Sequence, residues 1–229
     1  MEKSGGNPAG IKNTGDRGLG IANSKPGARR NRVRKRKAAA GANIILIGMP
    51  GAGKSTVGVL LAKALSRDFL DTDVYIQAKQ GRTLQEIIDQ DGLPAFCRIE
   101  ERHVRSLRCR SSVIATGGSV VYSPAAMARL QASGIIIHLD LDLNALGKRL
   151  SDLSSRGVVM DPGQTLPELF AEREPLYRKY ADLTIDCAGC THEEIVAMMV
   201  RRLSRFAPPP ARRQTRTGAA TGKENKRTP

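Results

Sequence analysis

The sequence predicts a three-layer α/β domain, with helices covering both faces of a parallel sheet. Five short β-branched or apolar runs alternate with amphipathic stretches, and strand alternating with helix implies parallel strands joined by crossover helices. Ile135 to Ile137 is apolar without interruption, as a strand covered on both faces requires. A glycine-rich turn, Gly48 to Ser55, joins the first such run directly to the first helical pattern.

The chain of 229 residues is 40% hydrophobic and carries a net charge of +15. That charge is not spread evenly. Residues 1–40 hold 11 Lys and Arg against 2 acids, residues 41–206 hold 20 against 19, and residues 207–229 hold 6 against 1. Both ends are rich in Gly, Pro, Asn, Thr and Arg and poor in large apolar residues, so they cannot bury enough surface to offset the entropy of ordering. Residues 1–40 and 207–229 are therefore expected to be disordered basic tails around one globular segment, 41–206. The run Ala28 to Lys37, ARRNRVRKRK, is suited to weak contact with nucleic acid or another acidic surface through phosphate pairing and counterion release. No run approaches the roughly 18 apolar residues of a membrane span, and there is no signal-peptide core. A cytoplasmic, monomeric protein is expected.

In order along the globular segment, NIILIG, DFLDTD, VIATGG, IIIHLDL and LTIDC read as strands. Ser123-Pro124 opens one helical pattern and Thr165 opens another, LPELFAEREPLYRKYA, each with the residue type that caps exposed N–H groups. Ser151 to Gln164 is polar and holds Gly and Pro between two helical patterns, as a long loop or lid would. Cys97, Cys109, Cys187 and Cys190 form no disulfide framework in a chain of this kind. Cys187 and Cys190 make a C-x-x-C, but His192 alone does not complete a tetrahedral zinc site beside it.

The turn itself, GMPGAGKST, meets G-x-x-x-x-G-K-[ST] at Gly48, Gly53, Lys54 and Ser55. Gly51, Ala52 and Gly53 would bring backbone N–H groups onto phosphate oxygens, with Thr56 next along the helix opening. Lys54 would reach the β and γ phosphates, and the Ser55 hydroxyl suits Mg²⁺. A purine nucleoside triphosphate with Mg²⁺ is the expected cofactor set. The motif alone does not separate a GTPase, a motor and a small-molecule kinase.

The second strand ends in Asp71-Thr72-Asp73. Residues i and i+2 of a strand point the same way, so one carboxylate, Asp71, could orient Mg²⁺ while the other, Asp73, faces an acceptor hydroxyl. Gly117 and Gly118, with Ser119, end the third strand and could hold an anion through exposed N–H groups. Arg156 lies in the proposed lid and Arg173 on the following helix, where each could meet developing or fixed negative charge.

Taken together over about residues 43 to 204, these motifs resemble the shikimate kinase family: GMPGAGKST, the DTD at the family's spacing, the Gly-rich strand end, a lid arginine and ER-x-PLY. The resemblance implies a P-loop kinase fold with a five-stranded parallel sheet, a lid loop and acceptor-binding helices. It also implies that Asp73 holds the acceptor and helps remove its proton, that Ser55 and Asp71 manage Mg²⁺, and that Arg149 lies beside the adenine. Arg156 would be the lid arginine and Arg173 would grip the acceptor's carboxylate. Lys54, Asp73 and Arg156 are then the expected catalytic residues. The C-x-x-C falls in the loop expected to contact adenine.

Three positions depart from the family pattern. Ser119 stands where the pattern has a third glycine, and Arg156 is followed by Gly157-Val158-Val159 rather than Pro-Leu-Leu. In Phe-Arg-x-x-Glu, whose arginine binds the acceptor carboxylate, Cys97 occupies the arginine position and Arg98 is its neighbour. One residue along a helix is a rotation of about 100°, so Arg98 is expected to point elsewhere unless the helix shifts. The expected reaction is ATP-dependent phosphorylation of a small hydroxy acid, shikimate to shikimate 3-phosphate. Homoserine is the alternative acceptor, since a pocket with one cation fewer would admit an ammonium. A nucleic-acid-binding protein working through its basic tails is the alternative of a different class.

Overall fold

The computed structural model of the chain describes residues 41–150, 160 and 163–204. The expected tails lie outside the described residues, as does Arg156 with most of the expected lid.

Strand β1 (Asn43–Ile47) is buried at all five positions, so side chains pointing to either face meet other side chains rather than water. It is followed by α1 (Lys54–Leu65), β2 (Asp68–Asp71), α2 (Thr72–Gln80), α3 (Leu84–Asp91), α4 (Leu93–Ser106) and β3 (Ser112–Ala115). A short 3₁₀ turn at Val120–Tyr122 leads to α5 (Pro124–Ser133), β4 (Gly134–Asp140), α6 (Leu143–Leu150), α7 (Leu166–Tyr180), β5 (Leu183–Asp186) and α8 (His192–Leu203). The five strands form one parallel sheet of order β2-β3-β1-β4-β5. After β1 the chain builds β2 and β3 on one side, then β4 and β5 on the other. Loops leaving β1 and β3 therefore open onto the crevice where such sheets bind ligands.

The main core takes Ile44 to Ile47 from β1, Val57 and Leu61 from α1, Met127 and Leu130 from α5, Tyr177 from α7 and Ile195 and Met199 from α8. A smaller core of Ile76, Leu84, Ile87, Phe96 and Ile99 joins α2, α3 and α4 into a separate packed corner. Capping boxes at Thr83 with Glu86, Thr165 with Glu168 and Thr191 with Glu194 start three helices, and Ser123 caps α5 as expected. Each such cap stabilises its helix by about 1 kcal/mol.

At the DTD the geometry differs from the expectation of a strand. Strand β2 stops at Asp71, whose Oδ1 accepts from the backbone N–H groups of Asp73 and Val74 at 2.9 and 3.3 Å. These are donors that a new helix leaves unpaired. Asp73 consequently sits in the first turn of α2, and Thr72 turns inward, 1% exposed. The two carboxylates come together through a helix cap and not through strand alternation.

Candidate active site

The phosphate loop begins where β1 leaves the sheet. Gly53 has φ 89°, a left-handed conformation that favours glycine, and a side chain there would approach His192 and Arg149. The loop curls around its lysine: Lys54 Nζ donates to the carbonyls of Gly48 and Met49, both at 2.8 Å. The amino group is buried, and that burial pushes its pKa down to about 8. Arg173 acts in the same direction, while Asp73, Asp71 and Glu100 oppose it. Phosphate oxygens would meet an ammonium with little competing water, which strengthens the attraction.

Ser55 Oγ donates to Asp71 Oδ2 at 2.6 Å. A hydroxyl and a carboxylate oxygen, both hard donors, thus meet at the mouth of the phosphate loop. That donor set fits Mg²⁺, which takes few protein oxygens and completes its shell with water and phosphate. Ala52 is buried beneath the loop, and Thr56 is exposed at the helix opening.

Beside this corner, at the ends of β2 and β3, lies a second group of polar side chains. Thr72 Oγ1 accepts from Gly117 N–H at 3.0 Å, which ties the DTD to the end of β3. Asp73 Oδ1 is buried without a hydrogen-bond partner among the described residues. Burial, reinforced by neighbouring Asp71, pushes this carboxyl up to about 6 against the pull of Lys54. A group that is ionised at neutral pH yet readily accepts a proton is suited to general-base work. Gly118 O accepts from the buried Tyr177 hydroxyl at 2.7 Å. Arg173, 1% exposed, donates from Nε to Tyr122 Oη at 2.9 Å and stacks its guanidinium 5.0 Å above that ring. Its Nη1 lies 3.1 Å from the position a Cβ on Gly118 would take. Arg173, Gly117, Gly118 and Asp73 are therefore brought together as the sequence indicates.

Arg149 reaches the phosphate loop from α6, donating to Gly51 O at 3.4 Å. His192, which the sequence offered only as an incomplete zinc ligand, approaches the same point as Arg149: its Nε2 lies 3.4 Å, and Arg149 Nη1 3.8 Å, from the Cβ position of Gly53. All four cysteines among the described residues are free thiols. Cys187 is buried and donates to Ile185 O at 3.4 Å, and burial pushes its thiol up to about 12. A thiol held protonated in this way is a poor nucleophile, as expected for a loop residue.

Helix α4 settles where the variant stretch points. Phe96 and Ile99 enter the small core, and Glu100 is buried, 3% exposed, with Oε2 accepting from Ser119 Oγ at 2.7 Å. At about 100° per residue, Cys97 lies about 60° from Glu100 and Arg98 about 160° from it. Cys97 is half-buried and packs against the small core. Arg98 is exposed and shares a shallow surface depression with Glu101, Arg102, Arg105 and Ser106. Arg98 thus does not take over the place beside Glu100, because the helix keeps its regular phase. Glu100 was missed as a site residue, although the Phe-x-x-x-Glu spacing sets it one turn from Phe96 on the same face.

The family model described as shikimate kinase matches residues 50–204. A shikimate kinase of Thermodesulfovibrio yellowstonii is 38% identical over 168 residues, covering 72% of this chain and 96% of that protein. One of Caldanaerobacter subterraneus is 37% identical over 162 residues, covering 69% and 94%. Among solved structures, shikimate kinase from Acinetobacter baumannii in complex with shikimate superposes with a TM-score of 0.65 at 29% identity, covering 75% of this chain and 97% of that one. The Aquifex aeolicus shikimate kinase gives 0.62 at 29% identity, covering 71% and 96%.

Proposed function

The chain belongs to the shikimate kinase family, and from that premise we propose that it transfers the γ-phosphoryl group of ATP to the 3-hydroxyl of shikimate. The reading is carried by one juxtaposition. Lys54 of the phosphate loop, Asp73 and the Arg173–Gly118 corner stand around a common space at the end of β1 and β3. A phosphoryl donor and a carboxylate-bearing acceptor need those groups on opposite sides of one transferring atom.

In this mechanism Lys54 and the amides of Gly51, Ala52 and Gly53 hold the phosphates, with Thr56 at the helix opening and Arg149 towards the base. Ser55 and Asp71 hold Mg²⁺, which when bound neutralises charge on the phosphoryl oxygens. Arg173 grips the acceptor carboxylate, with Gly117 and Gly118 beside it, and Cys97 lines the α4 side. Asp73 orients the acceptor hydroxyl and takes its proton as the oxygen attacks phosphorus, while the bond to the ADP oxygen breaks. Arg156, outside the described residues, is assigned to the lid.

The relatives described above are named for shikimate, and none of them supports homoserine. ADP release with ATP and either acceptor tests the assignment: turnover with shikimate and none with homoserine is expected. Turnover with homoserine alone would overturn it. Residues 41–206 are assigned as the kinase domain, acting as a monomer in the cytoplasm. No helix among the described residues is long and apolar enough to cross a membrane. The basic tails at 1–40 and 207–229 are assigned to weak contact with nucleic acid or acidic surfaces. Their removal should abolish salt-sensitive nucleic-acid binding and leave turnover in place.

A further inference from the structure

Glu100 has no part in the mechanism above, yet it is buried inside the site. Ser119 Oγ donates to its Oε2, whereas Oε1 is buried without a hydrogen-bond partner among the described residues. Oε1 lies 2.5 Å from the point where a Cβ on Gly117 would be, and Asp73 Oδ1 lies 2.7 Å from that same point. Two buried carboxyl groups thus flank one glycine on the acceptor side. An isolated ionised carboxylate is costly to bury, and a second one beside it costs more.

The polar and charged groups that face Glu100 come from four parts of the fold. Lys54 approaches from the phosphate loop, Asp73 from α2, Ser119 from the end of β3, and Arg173 and Tyr177 from α7. On its own helix Phe96 and Val104 stand about 40° around the axis from it and Cys97 and His103 about 60°, and Arg98 is turned to solvent. Two cations and one hydroxyl favour the ionised form, while burial and Asp73 disfavour it. Burial is the largest influence and pushes the carboxyl up to about 7.

We propose that Glu100 stands in the acceptor site as a neutral carboxylic acid, a positioning residue whose proton allows an anionic acceptor to settle between Gly117 and Arg173. The proton spares the pocket a second negative charge beside Asp73. Once Glu100 ionises, it opposes the acceptor carboxylate that Arg173 holds and pulls on that same guanidinium. Acceptor binding is therefore coupled to protonation of Glu100, and it weakens as pH rises through neutrality. The inference rests on the shikimate kinase reading, and its failure can be told apart from failure of that reading.

The test is the KM for shikimate, at saturating ATP, from about pH 6 to about pH 8.5, where coupling to one proton gives at most about a tenfold rise per pH unit. The wild type should show a rise of several-fold carried by KM, and Glu100→Gln, permanently neutral, should hold the low-pH KM throughout. A Glu100→Gln enzyme that keeps the wild-type pH dependence would overturn the proposal, as would a wild-type KM that stays flat. Calorimetry of shikimate binding to the wild type in buffers of different ionisation enthalpy gives a second reading that needs no variant. Proton uptake of a large fraction of one proton near pH 8 is expected, and no uptake overturns the proposal. Absence of any shikimate turnover by the wild type overturns the underlying reading and the proposal with it.

Discussion

Gly117→Ala adds one methyl group where two buried carboxyl oxygens converge. The new carbon would lie 2.5 Å from Glu100 Oε1 and 2.7 Å from Asp73 Oδ1, well inside the roughly 3.5 Å at which non-bonded atoms attract. Gly117 is not among the residues of positive φ, so its backbone accepts alanine without strain. The clash costs about 1–3 kcal/mol as overpacking, and the stiffer unfolded chain returns about 0.4–1 kcal/mol. A net loss of about 1–2 kcal/mol follows, or a few degrees in Tm for a domain of this size. The larger effect falls on activity. Relief comes by rotating Asp73 or Glu100 away, and a displacement of about 1 Å at a reacting group costs about a hundredfold in rate. Gly147→Ala is the matched control: this glycine lies within α6 with nothing within 4 Å of its Cβ position, so it should gain about 0.5–1 kcal/mol. Urea melts and ADP-release kinetics on both variants give the comparison. If Gly117→Ala were as stable as Gly147→Ala and kept kcat within about twofold, the convergence of carboxyls on Gly117 would be refuted.

Three further outcomes are expected. Lys54→Ala should lower turnover by at least about a thousandfold, since a buried cation aimed at transferring phosphate is lost, while the urea midpoint falls little or rises because the buried amino group is gone; near-normal kcat would refute the role. His138 is 1% exposed, stacks on Tyr177 at 5.2 Å, and is pushed down to about 4 by burial. Its unfolded form gains a proton near 6.5 while the folded form resists, so stability should fall by up to a few kcal/mol as pH drops from about 6.5 to 4. His138→Phe should flatten that limb of the urea midpoint against pH, and an unchanged limb would count against it. Cys97→Arg would place a guanidinium about 60° around α4 from Glu100, so KM for shikimate should fall by about ten- to a hundredfold. An unchanged or higher KM would show that position 97 does not reach the acceptor.

Much of this was legible in the residues because it is local. A phosphate loop needs contiguous amides, and Gly51, Gly53, Lys54 and Ser55 carry that requirement within one turn of chain. Strands β1 and β4 were legible because burial on both faces leaves an unbroken apolar run. Ser123 and Thr165 marked helix starts because a cap is a contact within three residues. At Asp71 the same capping chemistry competed with strand alternation and won, so the right pair of carboxylates was expected for a geometry that does not occur.

Sequence by itself determined the sheet, the phosphate loop, the order of the acceptor-side motifs and the family, since each is written in short spacings. Tertiary structure decided which buried polar groups meet: Glu100 with Ser119, Thr72 with Gly117, Tyr177 with Gly118, and Arg173 with Tyr122. Those partners are 19, 45, 59 and 51 residues apart. Periodicity fixes the face of a helix on which a side chain stands, but not what the opposing element presents to it. For Glu100 the opposing elements present an aspartate, a serine, a lysine and an arginine together, and only their packing around Gly117 turns an ordinary helical glutamate into a buried acid.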